Sequence, residues 1–307
     1  MMNVSNLQPN SEINAKILIS EANEHKDESY VKMVLRRFLK HRLAVVSAVG
    51  LVLISLVALF APFLAPYDPY AVTGAFGAGP SAQHFLGTDL VSRDALSRLI
   101  YAARVSLQVG VGAVAISSVI GTILGLISGY AGGKVDTVIM RIVDVFMSFP
   151  HLMLILVVVS IVGSSLTNLI LILGLLNWTG MARIVRGSVL SIKQLDYVKA
   201  SIALGFSTPR ILFKHILPNV LAPILVHATF GIANAIMVEA ALSFLGLGVQ
   251  PPTASWGNML TEAQSMTVLT SQPWLWVPAG VMIVLTVLAV NFIGDGLRDA
   301  LDPKSIK

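Results

Sequence analysis

The chain has 307 residues, 55% of them hydrophobic and 12% charged, with a mean hydropathy of +0.79. Soluble domains carry about 25% charged residues, so this is the composition of an integral membrane protein. Cysteine is absent, which excludes disulfides, thiolate catalysis and Cys-based metal sites, and the net charge of +5 sits beside apolar runs, as a topology signal does and a nucleic-acid surface does not.

Residues 1–42 are polar and end in a basic cluster, Lys32, Arg36, Arg37, Lys40 and Arg42. The first apolar run begins too late for a cleaved signal. The reading is a cytoplasmic tail, flexible over 1–30, with an interfacial helix over 30–42. The run from Leu43 to Phe60 opens the first transmembrane helix, taken as 43–64. An extracytoplasmic loop follows over 65–99. A span needs about 20 mainly apolar residues, and five more satisfy this, at 100–128, 138–162, 166–188, 219–245 and 276–295. The transmembrane core is thus 100–298, including the segment 196–218, with a short cytoplasmic tail over 299–307. With the N-terminus inside, 18 of the 21 Lys and Arg residues are cytoplasmic, and only Arg93, Arg98 and Arg104 are not. That predicts both termini in the cytoplasm. The loop over 246–275 has no Lys or Arg, and Trp256, Trp274 and Trp276 suit an outer interfacial belt.

Within the spans, Ala113, Ser117, Gly121, Gly125 and Gly129 recur every four residues. This makes a smooth helix face for close approach of another backbone, in the same chain or in a second subunit. His227, Asn234 and Glu239 fall in the fifth span at intervals of seven and five, read as one broad side. Polar groups at that depth face a bundle interior or a wet path. Interhelical hydrogen bonding and a translocation pathway both fit. Asn177, Asn291 and Asp295 are of the same class, and Arg141 and Asp144 are spaced to pair along one helix. Ser128–Val135 has the wrong ends for a phosphate loop, which needs Gly first and Ser or Thr after the Lys, so it reads as a tight cytoplasmic turn at Lys134. No nucleophile–base pair and no metal-ligand pattern is present in the sequence, so no residue is assigned a catalytic or metal-binding role.

Residues 196–218 are a polar island between apolar segments. Asp196 is read as the N-cap of a short helix ending at Gly205, which can adopt a left-handed C′ conformation. Ser207 or Thr208 is read as the cap of a second short helix with Pro209 in its first turn. Pro218 is expected to break the path into the next span. Two short helices held at a fixed angle on the water side of a membrane suit mechanical contact, with a partner protein or with anionic headgroups.

This island resembles the coupling motif of binding-protein-dependent ABC importer permeases, E-A-A, three residues, Gly, nine residues, I-x-L-P. Lys199, Ala200, Ser201, Gly205, His215, Leu217 and Pro218 fall in register, with Lys199 in place of Glu, Ser201 in place of the second Ala and His215 in place of Ile. Residues 85–99 resemble the F-L-G-T-D-x-x-G-R-D-x-L-S-R-L block of dipeptide/oligopeptide permeases, with Ser92 where Gly is usual. Residues 239–257 and 294–303 resemble further blocks of the second, C-type permease subunit of that family, in the same order.

The resemblance implies an all-α, type I ABC importer permease fold with six transmembrane helices in the bacterial cytoplasmic (inner) membrane. It implies a homologous second permease, two cytoplasmic ABC ATPase subunits that bind ATP and Mg, and an extracytoplasmic peptide-binding protein. This chain would bind no cofactor and catalyse no reaction. Asp196, Lys199, Ala200, Ser201, Gly205, Arg210, Lys214, His215, Leu217 and Pro218 would form the ATPase-coupling segment. In it Val198, Ile202, Ile211 and Leu212 would bury into the partner, and Arg210, Lys214 and His215 would form a rim. His227, Asn234 and Glu239 would line the pathway. The cargo reading is di- or oligopeptides. Nickel chelates, glutathione or another small solute are the alternatives within the family, and a self-sufficient secondary transporter is the alternative outside it.

Overall fold

The computed structural model describes residues 30–301. The tail expected to be flexible lies, Tyr30 apart, outside the described residues, as do residues 302–307 of the C-terminal tail. Regular structure among the described residues is helical, save an isolated bridge between Thr88 and Asp94.

Helix α1 (Tyr30–Lys40) covers the segment expected as interfacial. Its Phe38 ring packs beside Gly296 near the other end of the chain, where an added Cβ would sit 3.2 Å from it. His41 starts α2 (Arg42–Leu59), its Nδ1 accepting from the Ala44 N–H at 3.1 Å. The first span turns at Phe60 and Pro62 and ends in one turn, α3 (Ala61–Leu64). Helix α4 (Ala95–Ala131) is 37 residues long, about 55 Å. It begins five residues before the expected start because Asp94 caps it, accepting from Ser97 N–H and Oγ at 2.8 and 2.7 Å. Gly132 and Gly133, both at positive φ, make the tight turn expected near Lys134.

The third apolar segment departs from the expectation of one span over 138–162. It is two helices, α5 (Gly133–Ser148) and α6 (His151–Val162), bent by 87°. Phe149 precedes Pro150 and is pushed out of the helical region to φ −89°, ψ 142°. Helices α7 (Leu166–Leu176) and α8 (Trp178–Ile192) form one apolar stretch jointed at Asn177. Among the described residues, five helices are long and apolar enough to cross a membrane, or six if the bent pair crosses as one.

After α8 come the short helices α9 (Asp196–Ala203) and α10 (Thr208–Ile211). Pro218 does not break the path, contrary to expectation. A π-turn over Leu212–Ile216 leads directly into α11 (Leu217–Phe244). The wider turn bonds Leu217 N–H to Leu212 O, and Pro218 then falls in the first turn of α11, where its missing N–H costs little. Beyond α11, the short helices α12 (Trp256–Met259) and α13 (Met266–Ser271) form a cap, and α14 (Val277–Leu301) closes the bundle.

The small-residue stripe is resolved in favour of packing within the chain. Gly121, Gly125 and Gly129 of α4 face α8, where an added Cβ would lie 2.6 Å from Met181 Cβ, 2.7 Å from Ala182 O and 2.8 Å from Val189 Cβ. Asp136 of α5 closes one end of this pair. It takes both Arg186 Nε and Nη2 at 2.5 and 2.6 Å and is also bonded by the Ser128 hydroxyl. Lys193 donates to Tyr130 O at 2.6 Å. Asp144 pairs with Arg183 of α8 at 2.9 Å and not with Arg141 on its own helix, as the spacing had suggested. The facing helix presents the nearer cation.

Substituting Gly125→Leu drives a side chain into the backbone carbonyl of Ala182. Overpacking of this kind costs about 1–3 kcal/mol. The expected outcome is a lower thermal midpoint of the purified protein in detergent and reduced membrane abundance. Gly187→Leu, which meets open space, is expected to leave both near wild type.

Candidate functional site

The polar island folds into a compact pair of short helices, a lever in shape. The N-cap of α9 is Leu195, which makes no side-chain cap bond; Asp196 is in the first turn and not at the cap. A carboxylate there still favours the positive helix end. The far end matches expectation. Gly205 sits at φ +74°, Phe206 N–H reaches Ser201 O at 3.2 Å and Gly205 N–H reaches Ile202 O at 3.0 Å. That double closure is a Schellman stop, and it sets the angle to α10. Ser207 precedes α10 without a side-chain bond, and Pro209 lies in its first turn.

Two of the four apolar residues expected to enter a partner are in the chain's own core. Val198 and Ile211 are fully buried with Val185, Val189, Ile216 and Val220. They bolt α9 and α10 onto α8 and α11. The large apolar side chains left exposed within 196–218 are Tyr197, Ile202, Leu204 and Phe213, with Leu204 73% and Phe213 67% exposed. Asp196, Lys199, Ala200, Arg210, Lys214 and Pro218 are exposed, Leu217 is half-buried and Ser201 is buried, bonded to Tyr197 O at 2.8 Å. Arg210 stacks over the Phe206 ring at 4.3 Å. His215 is not a free rim residue. Its ring lies between Tyr197 and Phe206, with centroids 6.4 and 6.3 Å away.

The three intramembrane residues separate into two sites. Seven residues on a helix return to the same face, whereas five turn it by about 140°. His227 and Asn234 accordingly line one cavity of about 400 Å³ between α4, α11 and the joints at Phe149–Pro150 and Asn177. Glu239 points elsewhere and is fully buried. Its Oε1 accepts from Ser243 Oγ at 2.7 Å and Ser255 Oγ at 2.8 Å, and its Oε2 faces Ser106 Oγ at 3.5 Å. Ser106 Oγ in turn accepts from Trp256 N–H at 3.1 Å. Glu239 thus joins α4, α11 and α12, which is the interhelical reading; it is not on the cavity wall. The cavity also takes His151 and Ser118, which sequence spacing did not single out. Pro150 next to His151 was the signal available.

At the same end of α11 as Glu239, the loops form a polar cap. Asp89 accepts from the N–H groups of Val91 and Arg93 at 3.0 and 2.8 Å and from Arg93 Nε at 2.7 Å, with Arg98 Nε at 3.4 Å. His84 Nδ1 bonds Asp94 Oδ1 at 2.8 Å. Burial, then the charge of Asp89, push the Glu262 carboxyl above its usual range, while Arg98 and Arg93 pull it down. Ser92 adopts φ +67°, which accounts for the glycine usual at that place in the resembled block. Trp256 is fully buried, its indole 3.4 Å from Leu99 O, so it belongs to the core and not to an interfacial belt. Trp274 and Trp276 pack beside Val268 and Leu275.

Removing the clamp with Glu239→Ala strands the hydroxyls of Ser243 and Ser255. A loss of about 2 kcal/mol is expected, read as a lower unfolding midpoint in detergent. Glu239→Gln keeps one acceptor and is expected to lose clearly less.

Comparison with known proteins bears on what this arrangement serves. Residues 121–307 match the family model described as binding-protein-dependent transport system inner membrane component, and residues 29–86 match the N-terminal TM domain of oligopeptide transport permease C. The dipeptide transport system permease protein DppC of Alkalihalophilus pseudofirmus is 45% identical over 267 residues, 86% of this chain and 87% of that one. The oligopeptide transport system permease protein OppC of Bacillus subtilis is 44% identical over 282 residues, 91% of each. The glutathione transport system permease protein GsiD of Pectobacterium atrosepticum is 42% identical over 271 residues, 88% of this chain and 89% of that one. Among solved structures, a chain of the MetNI methionine ABC transporter, inward facing, superposes with a TM-score of 0.55 at 19% identity, covering 67% of this chain and 97% of that one. That likeness concerns the fold alone. A long glycine-faced helix, a jointed lever at one end and a polar cap at the other therefore stand in a multi-pass membrane protein that belongs to the family of inner membrane components of binding-protein-dependent transport systems.

Proposed function

We propose that the chain is one of two permease subunits of an ATP-driven importer of di- or oligopeptides, with both termini in the cytoplasm. A homologous permease completes the pathway. Two cytoplasmic ATPase subunits bind and hydrolyse ATP with Mg, and an extracytoplasmic binding protein delivers the peptide. The observation that supports this reading best is the lever. Its inner face is fixed to α8 and α11 through Val198 and Ile211, and its outer face offers Leu204 and Phe213 to another protein. The cargo reading rests on the relatives named for dipeptide and oligopeptide transport.

The mechanism is alternating access. ATP binding and hydrolysis in the partners favour different relative positions of the ATPases, and the lever passes the difference in contact energy to α11. Helix α11 is 28 residues long, about 42 Å. A tilt applied at Leu217 therefore moves the cavity residues His227 and Asn234 and the clamp at Glu239 together. The chain's part is to bind, to turn and to seal; the bond chemistry takes place in the ATPases.

The sidedness has a direct test, since the chain has no cysteine. Ala203→Cys in the exposed end of α9 is expected to label only from the cytoplasm, and Thr267→Cys in α13 only from outside. Reversed labelling would overturn the orientation.

The coupling has its own test. Gly205 needs positive φ but meets no atom within 4 Å, so Gly205→Val strains only the lever angle, by about 1–3 kcal/mol. Normal membrane abundance is expected, with peptide uptake reduced about tenfold or more and ATPase activity no longer stimulated by the loaded binding protein. Gln194→Ala, exposed and before the lever, is expected to stay near wild type. Lys193 is unsuitable as that control because it holds Tyr130 O. Wild-type uptake by Gly205→Val would remove the lever from the mechanism.

A further inference from the structure

The cavity on α11 has a chemical character of its own. It is lined by nineteen residues, none of them Asp, Glu, Lys or Arg. Its polar groups are hydroxyls, carboxamides and two imidazoles. Ser117 uses its hydroxyl on Val114 O at 3.1 Å, but the Ser118 oxygen beside it is buried without any hydrogen-bond partner. A helical serine bonds back to its own helix or to solvent; the Ser118 oxygen does neither, and a rotation about χ1 is what would bring it to a ligand. His227 and Asn234 on the opposite wall also lack a hydrogen-bond partner. Phe146, Phe149 and Phe230 supply flat apolar surface around them. The volume of about 400 Å³ falls within the range of small-molecule sites.

Chemistry narrows the ligand. A peptide terminus brings an unpaired charge into a region with no counter-charge in its lining, at large cost. A lipid chain leaves the Ser118, His227 and Asn234 groups unsatisfied. A secondary amide brings one N–H donor and one carbonyl acceptor. Hydroxyl, imidazole and carboxamide can each take either role or both. Resting on the reading of the chain as a peptide permease, we propose that this cavity is a subsite for the uncharged main chain of a peptide in transit. Ser118, His227 and Asn234 exchange hydrogen bonds with its amide groups, and the three phenylalanines enclose whatever side chains accompany them. Such a site ignores side-chain identity, because every residue but proline presents the same amide. The bend at Phe149–Pro150 forms part of its wall, so a change in that bend changes the site.

The test uses the complete transporter, with Ala228→Cys as a reporter in the cavity lining. Labelling of this cysteine by a maleimide is followed in the absence and presence of N-acetyl-trialanine amide, which has amides and no charge. The peptide is expected to slow labelling about threefold at millimolar concentration. The fully N-methylated analogue, which has no N–H on its main chain, is expected to protect much less. Ser118→Ala and His227→Phe are each expected to weaken protection about fivefold in the concentration required. Gly180→Val, whose side chain points at His227 Nε2, is expected to abolish it. Uptake of trialanine into proteoliposomes is measured in parallel. Uptake without protection overturns the subsite and leaves the peptide reading standing. Protection without uptake keeps the subsite and removes the cargo reading. Equal protection by the methylated analogue, or a cysteine that never reacts in any nucleotide state, also overturns the proposal.

Discussion

The contact between α4 and α8 is the constraint on which the remaining architecture depends. In a bilayer, lipid is as apolar as leucine, so helices gain little by hiding hydrocarbon and must gain by close packing. Gly121, Gly125 and Gly129 allow Met181, Ala182 and Val189 to approach within the space a single methyl would take. The approach fixes where α8 lies, and α9 begins four residues after its last residue, at Asp196. It also places Asp136 where Arg186 can bind it with both guanidinium nitrogens. A bidentate pair specifies orientation as well as distance. Position and direction of the lever are therefore inherited from a helix pair deep in the bundle.

The same logic explains why the lever's apolar residues divide into two groups. Under the coupling role proposed above, an element that buried all of them in a partner would be a flexible tether. One that buried all of them at home would present nothing to grip. Val198 and Ile211 face inward and are nearly inaccessible, while Leu204 and Phe213 face outward. Along α11 the polar groups divide likewise. His227 and Asn234 are unpaired at the cavity, whereas Glu239 is saturated by serines in the cap. A saturated buried carboxyl holds elements together, as Glu239 does for α4, α11 and α12.

How much of this was legible in the sequence depended on whether the signal was local. The Gly205 stop, the tight turn at Gly132 and Gly133, and the smooth face of α4 follow from residue type and spacing, and they appear where they were expected. Pro150 was equally local, yet the apolar run over 138–162 masked it; hydropathy measures length and not direction, and the bend of 87° has no hydropathy signature. Pro218 misled in the opposite sense, because a π-turn supplied the slack that an α-turn lacks. The Arg141–Asp144 spacing and the exposure of Val198 were settled by neighbours distant in sequence, Arg183 in one case and Val185 and Val220 in the other. No pattern within one helix reports these.

Glu239 shows most clearly how a residue type can suggest one role and its setting impose another. An acidic side chain in a span invites a reading as part of a path for solute. Here the turn of the helix between Asn234 and Glu239 carries the carboxyl away from the cavity and into reach of Ser243, Ser255 and Ser106. Ser255 is at once a ligand of Glu239 and the cap of α12, sharing reciprocal bonds with Asn258. The loop that carries Trp256 is thereby tied to α11 through one carboxylate oxygen. Because α11 is continuous from the lever to this clamp, movement that begins at Leu217 cannot be absorbed at the cap without breaking buried hydrogen bonds. The helix must therefore move with its cap, and in the proposed mechanism the cavity residues His227 and Asn234 go with it.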